Sequence, residues 1–145
     1  MIKALFEFMP TEIQLVFTEG PKENRITRFN GSQLAIAINN DNFDDAHDFL
    51  IDKRQIDTLD FQIKNIGNTN GLSFEIYGSI DPALTAPAFA LKDWELQTSG
   101  SGNIAALVNQ IFEAKSYLIR VLIRLKRQTA SQDTTSDILV TTGTR

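Results

Sequence analysis

From Thr58 the chain alternates with a period of two: Leu59, Phe61 and Ile63 fall on one side, Asp60, Gln62 and Lys64 on the other. Only an extended strand sends successive side chains to opposite faces, and this one has a buried face and a wet face. The pattern resumes in LSFEIYG, with Leu72, Phe74 and Ile76. Between the two lies NIGNTNG, rich in the Gly and Asn that turns tolerate. The arrangement predicts a β-hairpin in which Asn70-Gly71 serves backbone geometry.

Further strands are predicted over residues 11 to 18 (Ile13, Leu15, Phe17), at Leu34, Ile36 and Ile38, and from Ile138 to Thr142. Lys92 to Thr98, carrying the lone Trp94, reads as a short strand broken by SGSGN. DPALTAPAFA reads as a loop, because Pro82 and Pro87 withhold ladder donors. Ile104, Leu107, Val108, Ile111 and Phe112 follow the i, i+3, i+4, i+7, i+8 spacing. They predict one short helix near residues 103-113, capped by Ser101 or Asn103.

The stretch YLIRVLIRLKR, residues 117 to 127, admits two readings. At helical spacing Asn109, Glu113, Ser116, Arg120, Arg124 and Arg127 form a polar stripe. As a strand it puts Tyr117, Ile119, Val121, Ile123 and Leu125 on one face, and Leu118, Arg120, Leu122, Arg124 and Lys126 on the other. Its β-branched and aromatic content favours the strand. A face mixing leucine with arginine calls for a cover, so Leu118, Arg120, Leu122 and Arg124 are candidate interface residues. The apolar N-terminal residues Leu5, Phe6 and Phe8 join them, as an arm on a neighbour or as an edge strand.

The fold expected is therefore all-β: an antiparallel β-sandwich of the jelly-roll kind with one short helix. At 145 residues the chain suits one domain, residues 1-145, with residues 1-10 the possible arm. Without cysteine it has neither disulfides nor thiolate chemistry, and packing or assembly must stabilise it. A formal charge of -4 argues against general nucleic-acid binding. MIKALFEFMP has too short an apolar run for a signal peptide or a membrane span, so a cytoplasmic chain is expected.

Parts for catalysis are scarce. His47 is the lone histidine, no G-x-S-x-G elbow occurs, and no catalytic residue is assigned; the chain reads as no enzyme. Asp41, Asp44, Asp45, His47 and Asp48 crowd oxygen ligands into a short loop, but the spacing is not that of an EF-hand. A solvated acidic loop is the plainer reading, and neither a metal nor a cofactor is expected. Trp94, Tyr77 and Phe89 could serve as stacking platforms for a sugar or as ordinary core.

LDFQIKNIGNTNGLSFEIYGSIDP, residues 59 to 82, carries Lys64, Asn65 and Gly67 in a K-N-x-G turn and Gly78, Ser79 and Asp81 in a closing G-S-x-D. With Tyr117, Arg120 and Val121 as a later Y-x-x-R-V strand, it resembles the small sandwich proteins that decorate tailed-bacteriophage heads, the cement proteins. That resemblance implies a virion component on the outer capsid surface, present in the host cytoplasm during assembly. It implies a homotrimer whose partner is the major capsid protein, with no part for nucleic acid or membrane. The alternative is a carbohydrate- or receptor-binding sandwich of a phage tail or baseplate.

Overall fold

The computed structural model describes residues 11–12, 33–53, 58–84 and 89–143. Nine strands follow in chain order: β1 Thr11–Glu12, β2 Gln33–Ile38, β3 Asp48–Asp52, β4 Thr58–Asn65 and β5 Leu72–Ser79, then β6 Glu95–Ile104, β7 Asn109–Ala114, β8 Arg120–Arg127 and β9 Thr134–Gly143. They form a five-stranded sheet in the order β1-β3-β8-β5-β6 and a four-stranded sheet in the order β2-β9-β4-β7. Every pairing is antiparallel except β1 with β3. From β2 to β9 each connection crosses between the sheets, save the one from β5 to β6.

The period-two stripes explain the packing. Leu59, Phe61 and Ile63 of β4 and Ile138 and Val140 of β9 face inward from one sheet. Leu72, Phe74 and Ile76 of β5 and Val121, Ile123 and Leu125 of β8 face inward from the other. Phe112 of β7 stacks on Phe61 at 5.2 Å between centroids and meets Phe74 edge-on at 5.1 Å. Such aromatic contacts add directional attraction to the burial of apolar area.

Three expectations from the sequence are corrected. β4 and β5 do not form a hairpin: β4 pairs with β7 and β9, β5 with β6 and β8, so NIGNTNG arches between sheets. The buried Asn65 holds that arch, donating through Nδ2 to the carbonyls of Asn70 (2.8 Å) and Ile104 (3.0 Å) and accepting from Thr134 Oγ1 and Gly67 N. Gly67 is required by closeness, since a Cβ there would lie 2.1 Å from Thr134 Oγ1.

The helix near residues 103-113 is the second correction. Ile104 ends β6, a turn closed by Val108 N donating to Ala105 O follows, and β7 begins at Asn109. Ile104 and Phe112 do reach the core, but through two strands rather than one helix face. Third, SGSGN does not interrupt a strand; β6 runs through it to Ile104. The stretch after Tyr117 is a strand, yet it starts at Arg120, after a turn in which Leu118 N donates to Lys115 O. Of the strand expected over residues 11 to 18, all but Thr11–Glu12 lies outside the described residues, as do Leu5, Phe6 and Phe8.

Candidate functional site

The outward face of the five-stranded sheet holds the residues the alternation singled out. The register places Asp48, Arg124 and Glu75 in one row across β3, β8 and β5, Leu50, Leu122 and Tyr77 in the next, and Asp52, Arg120 and Ser79 in a third. Arg124 Nε donates to Asp48 Oδ1 at 2.9 Å, and both side chains are buried. A buried pair of this kind is tolerated when hydrogen bonds and neighbours compensate desolvation. Here the guanidinium also stacks 4.1 Å from the Phe89 ring centroid. Arg120 pairs with Asp52 at 3.6 Å and donates from Nη2 to the Pro82 carbonyl at 3.1 Å.

The cover is the chain's own β5–β6 connection. Phe89 and Trp94 pack on Leu50, Tyr77 and Leu122, with Phe89 4.7 Å from the Tyr77 ring. Burial and the neighbouring Glu75 carboxylate raise the Tyr77 pKa above the ordinary phenol value. Leu122 is 3% exposed, and Leu118 is 5% exposed in the core between the sheets. The turn before Arg120 resets the alternation, so Leu118 and Leu122 do not share a face. The surface that Leu118, Arg120, Leu122 and Arg124 were expected to offer is thus occupied within the protomer.

Where the connection rejoins the sheet it leaves an open groove of about 470 Å³. Ile80, Lys92, Trp94, Glu95, Gln97 and Tyr117 are among its lining residues. Tyr117 is exposed and Trp94 half-buried, one side of the indole resting on the outer apolar layer. The groove combines aromatic faces with carboxylate, amide and ammonium groups, a chemistry suited to polyhydroxylated ligands.

The acidic loop is committed to structural contacts. His47 Nε2 lies 2.9 Å from the Ala37 carbonyl and Nδ1 3.4 Å from Asp44 Oδ1. Arg127 Nε donates to Asp41 Oδ1 at 2.6 Å, and Nη1 bonds Asp133. That hydrogen bond lowers the Asp41 pKa below the ordinary carboxylate value and raises that of Arg127. Among the described residues no group of three or more histidine, aspartate or glutamate side chains converges as metal ligands.

Sequence reasoning overlooked a second surface. Leu107, Val108 and Ile111, expected on the buried side of a helix, are 71%, 49% and 69% exposed. They leave apolar side chains uncovered on β7 and in the turn just before it, which makes this end of the strand a candidate for association. The turn is pinned to the NIGNTNG arch, Leu107 N donating to the carbonyls of Asn65 (3.0 Å) and Gly67 (3.1 Å). The legible signal was NQIFEA itself, in which Asn109, Ile111 and Glu113 alternate with Gln110, Phe112 and Ala114.

No protein-family model matches the chain, and no curated protein matches it. Similar solved structures include the SPBc2 prophage-derived protein YomS, at 11% identity and TM-score 0.43, covering 90% of this chain and all of that one. CorA, a surface-associated copper-binding protein of Methylomicrobium album BG8, is 6% identical with TM-score 0.47, over 91% of this chain and 100% of its own. The pre-peptidase C-terminal domain of a Bacillus anthracis collagenase is 13% identical with TM-score 0.34, over 74% of this chain and 89% of its own. Likeness at this level carries no argument about function.

Proposed function

We propose that this chain is a structural component of a tailed-phage virion that decorates the capsid and stabilises it by bridging capsid subunits. The observation that supports the reading is the exposure of the apolar side chains of Leu107, Val108 and Ile111 on β7 and the turn before it. The strand orders β3-β8-β5-β6 and β2-β9-β4-β7, with sheet crossing at all but one connection, support an eight-stranded jelly roll. That architecture recurs in viral capsid and lectin domains. The K-N-x-G turn of the cement-protein resemblance is the arch that Asn65 organises. A part that contacts several capsid subunits at once gains avidity without strong individual contacts.

The test is co-sedimentation of the purified protein with undecorated heads of its cognate capsid protein. Saturable binding that makes the heads more resistant to heat is the expected result. Heads left bare and unchanged at high protein concentration would remove the decoration role.

One observation favours a second reading, a carbohydrate- or receptor-binding module: Trp94 lies half-buried beside the groove that Tyr117 also lines. A sugar ring laid on the indole would quench or shift the emission of this lone tryptophan. Titration with a panel of neutral and acidic oligosaccharides reads that change; constant emission across the panel, with Trp94→Ala behaving as wild type in host-cell binding, excludes this reading.

A further inference from the structure

Among the described residues, β1, β2, β6 and β7 stand at the sheet edges, and β1 is only two residues long. An open edge offers unpaired N–H and C=O groups to any extended chain, and natural proteins blunt such edges with bulges, prolines or charge. β2 is blunted by a register shift between Gln33 and Ile36, around Ala35 at φ 54°. β6 is blunted by a shift opposite Glu75 to Tyr77, with Ser99 at φ 58°. β7 carries such a device only ahead of its first residue, where Leu107 at φ 63° and Val108 stand together against Asn65. Its six residues run in unbroken register with β4, from Asn109 opposite Lys64 to Ala114 opposite Leu59, with no proline and Glu113 as the sole charge.

The direction of its free backbone groups follows from the ladder. Asn65 donates to Val108 O and accepts from Leu107 N, so this is a hydrogen-bonded position. Such positions alternate along an antiparallel pair. Gln110, Phe112 and Ala114 therefore turn their backbone groups to β4, while Asn109, Ile111 and Glu113 turn theirs to the open side.

We propose that β7 pairs with β7 of a second copy, antiparallel about a two-fold axis through Ile111. In that register Ile111 lies opposite the partner's Ile111, and Asn109 opposite the partner's Glu113. An isologous interface requires a patch complementary to itself, and this one qualifies. The Asn109 Oδ1 atom already accepts from Gln62 Nε2 at 2.7 Å, which leaves the amide Nδ2 to donate to the opposing carboxylate. No like charges meet along the strand. The two four-stranded sheets become one continuous sheet. The pairing rests on the proposed reading of these residues as an association surface and gives that surface to a second copy, so a capsid would be met by other faces of the pair. It replaces the three copies implied by the cement-protein resemblance with a two-fold pair, which presents any capsid-contacting surface twice.

The test uses the full chain. Light scattering across a concentration series should give a mass approaching twice 16.2 kDa. Ile111→Lys, which sets two like charges face to face, should raise the dissociation constant about 100-fold with unchanged thermal unfolding of the monomer. Leu34→Lys, on the bulged β2 edge, should leave the mass unchanged. Amide exchange supplies the second readout: the Ile111 N–H, open in the monomer, should gain protection as concentration rises, and lose it in Ile111→Lys. A monomer at all concentrations, a trimer, or a dimer indifferent to Ile111→Lys overturns the pairing. Head co-sedimentation reports separately, since dimerisation and capsid binding can each fail with the other intact.

Discussion

Leu122, on a strand inside its sheet, and Ile111, on an edge strand of the other, share one feature: each is an apolar side chain on an outward face, flanked by polar residues two positions away. Leu122 is 3% exposed and Ile111 is 69% exposed. Leu50 and Tyr77 flank Leu122 from both neighbouring strands, and the one connection that stays on its own sheet, β5 to β6, lays Phe89 and Trp94 over it. Nothing among the described residues lies over Ile111 in this way. Apolar residues on an outward face therefore report a cover, and only the chain path decides whether the cover belongs to the same molecule.

If that contrast is right, damage on the covered face should unfold the protein, and damage on the bare face should not. The largest effect is expected for Arg124→Ala, which removes the guanidinium paired with the buried Asp48 and stacked on Phe89. It should lower unfolding free energy by about 3 to 5 kcal/mol in urea titration. Leu122→Ala should follow at about 2 to 4 kcal/mol, through lost burial and a cavity beneath Phe89 and Trp94. A loss under 1 kcal/mol for both would mean that the connection is not a fixed layer.

Leu107 sharpens the comparison from the bare side. It sits at φ 63°, a left-handed conformation that disfavours a bulky residue, while its side chain is exposed. Leu107→Gly relieves steric strain of about 1 to 2 kcal/mol, partly offset by the added chain entropy of glycine. The variant should therefore match or exceed wild-type monomer stability while weakening association, a pattern a core leucine would not give.

Alkaline titration probes the covered face more gently. Because the folded Tyr77 pKa is raised above its unfolded value, its contribution is fully present below pH about 10. That contribution is lost as pH rises through the folded pKa. Tyr77→Phe should flatten this alkaline loss. The smallest effect is expected for Ile111→Ser, whose stability measured on the monomer should lie within about 0.5 kcal/mol of wild type.

The sequence by itself determined that β4, β5, β8 and β9 are strands and which side of β4 and β5 is apolar, because a period of two is a local property of extended backbone. Leu59, Phe61 and Ile63, like Leu72, Phe74 and Ile76, are core as their alternation required. Pairing was not legible. NIGNTNG has the composition of a hairpin turn, but its geometry is set by where Asn65 finds the Ile104 carbonyl and Thr134, 39 and 69 residues away. The apolar spacing from Ile104 to Phe112 fits a helix as well as it fits strand, turn and strand, since i+3, i+4 and i+7 leave both open over so short a span. Nor could alternation foresee that a turn would reset its phase and send Leu118 to the inner core, with Leu122 beneath Phe89. Tertiary structure decided all of these because burial depends on which distant segment arrives to exclude water. The same physics leaves β7 at an edge of its sheet among the described residues, with Ile111 exposed.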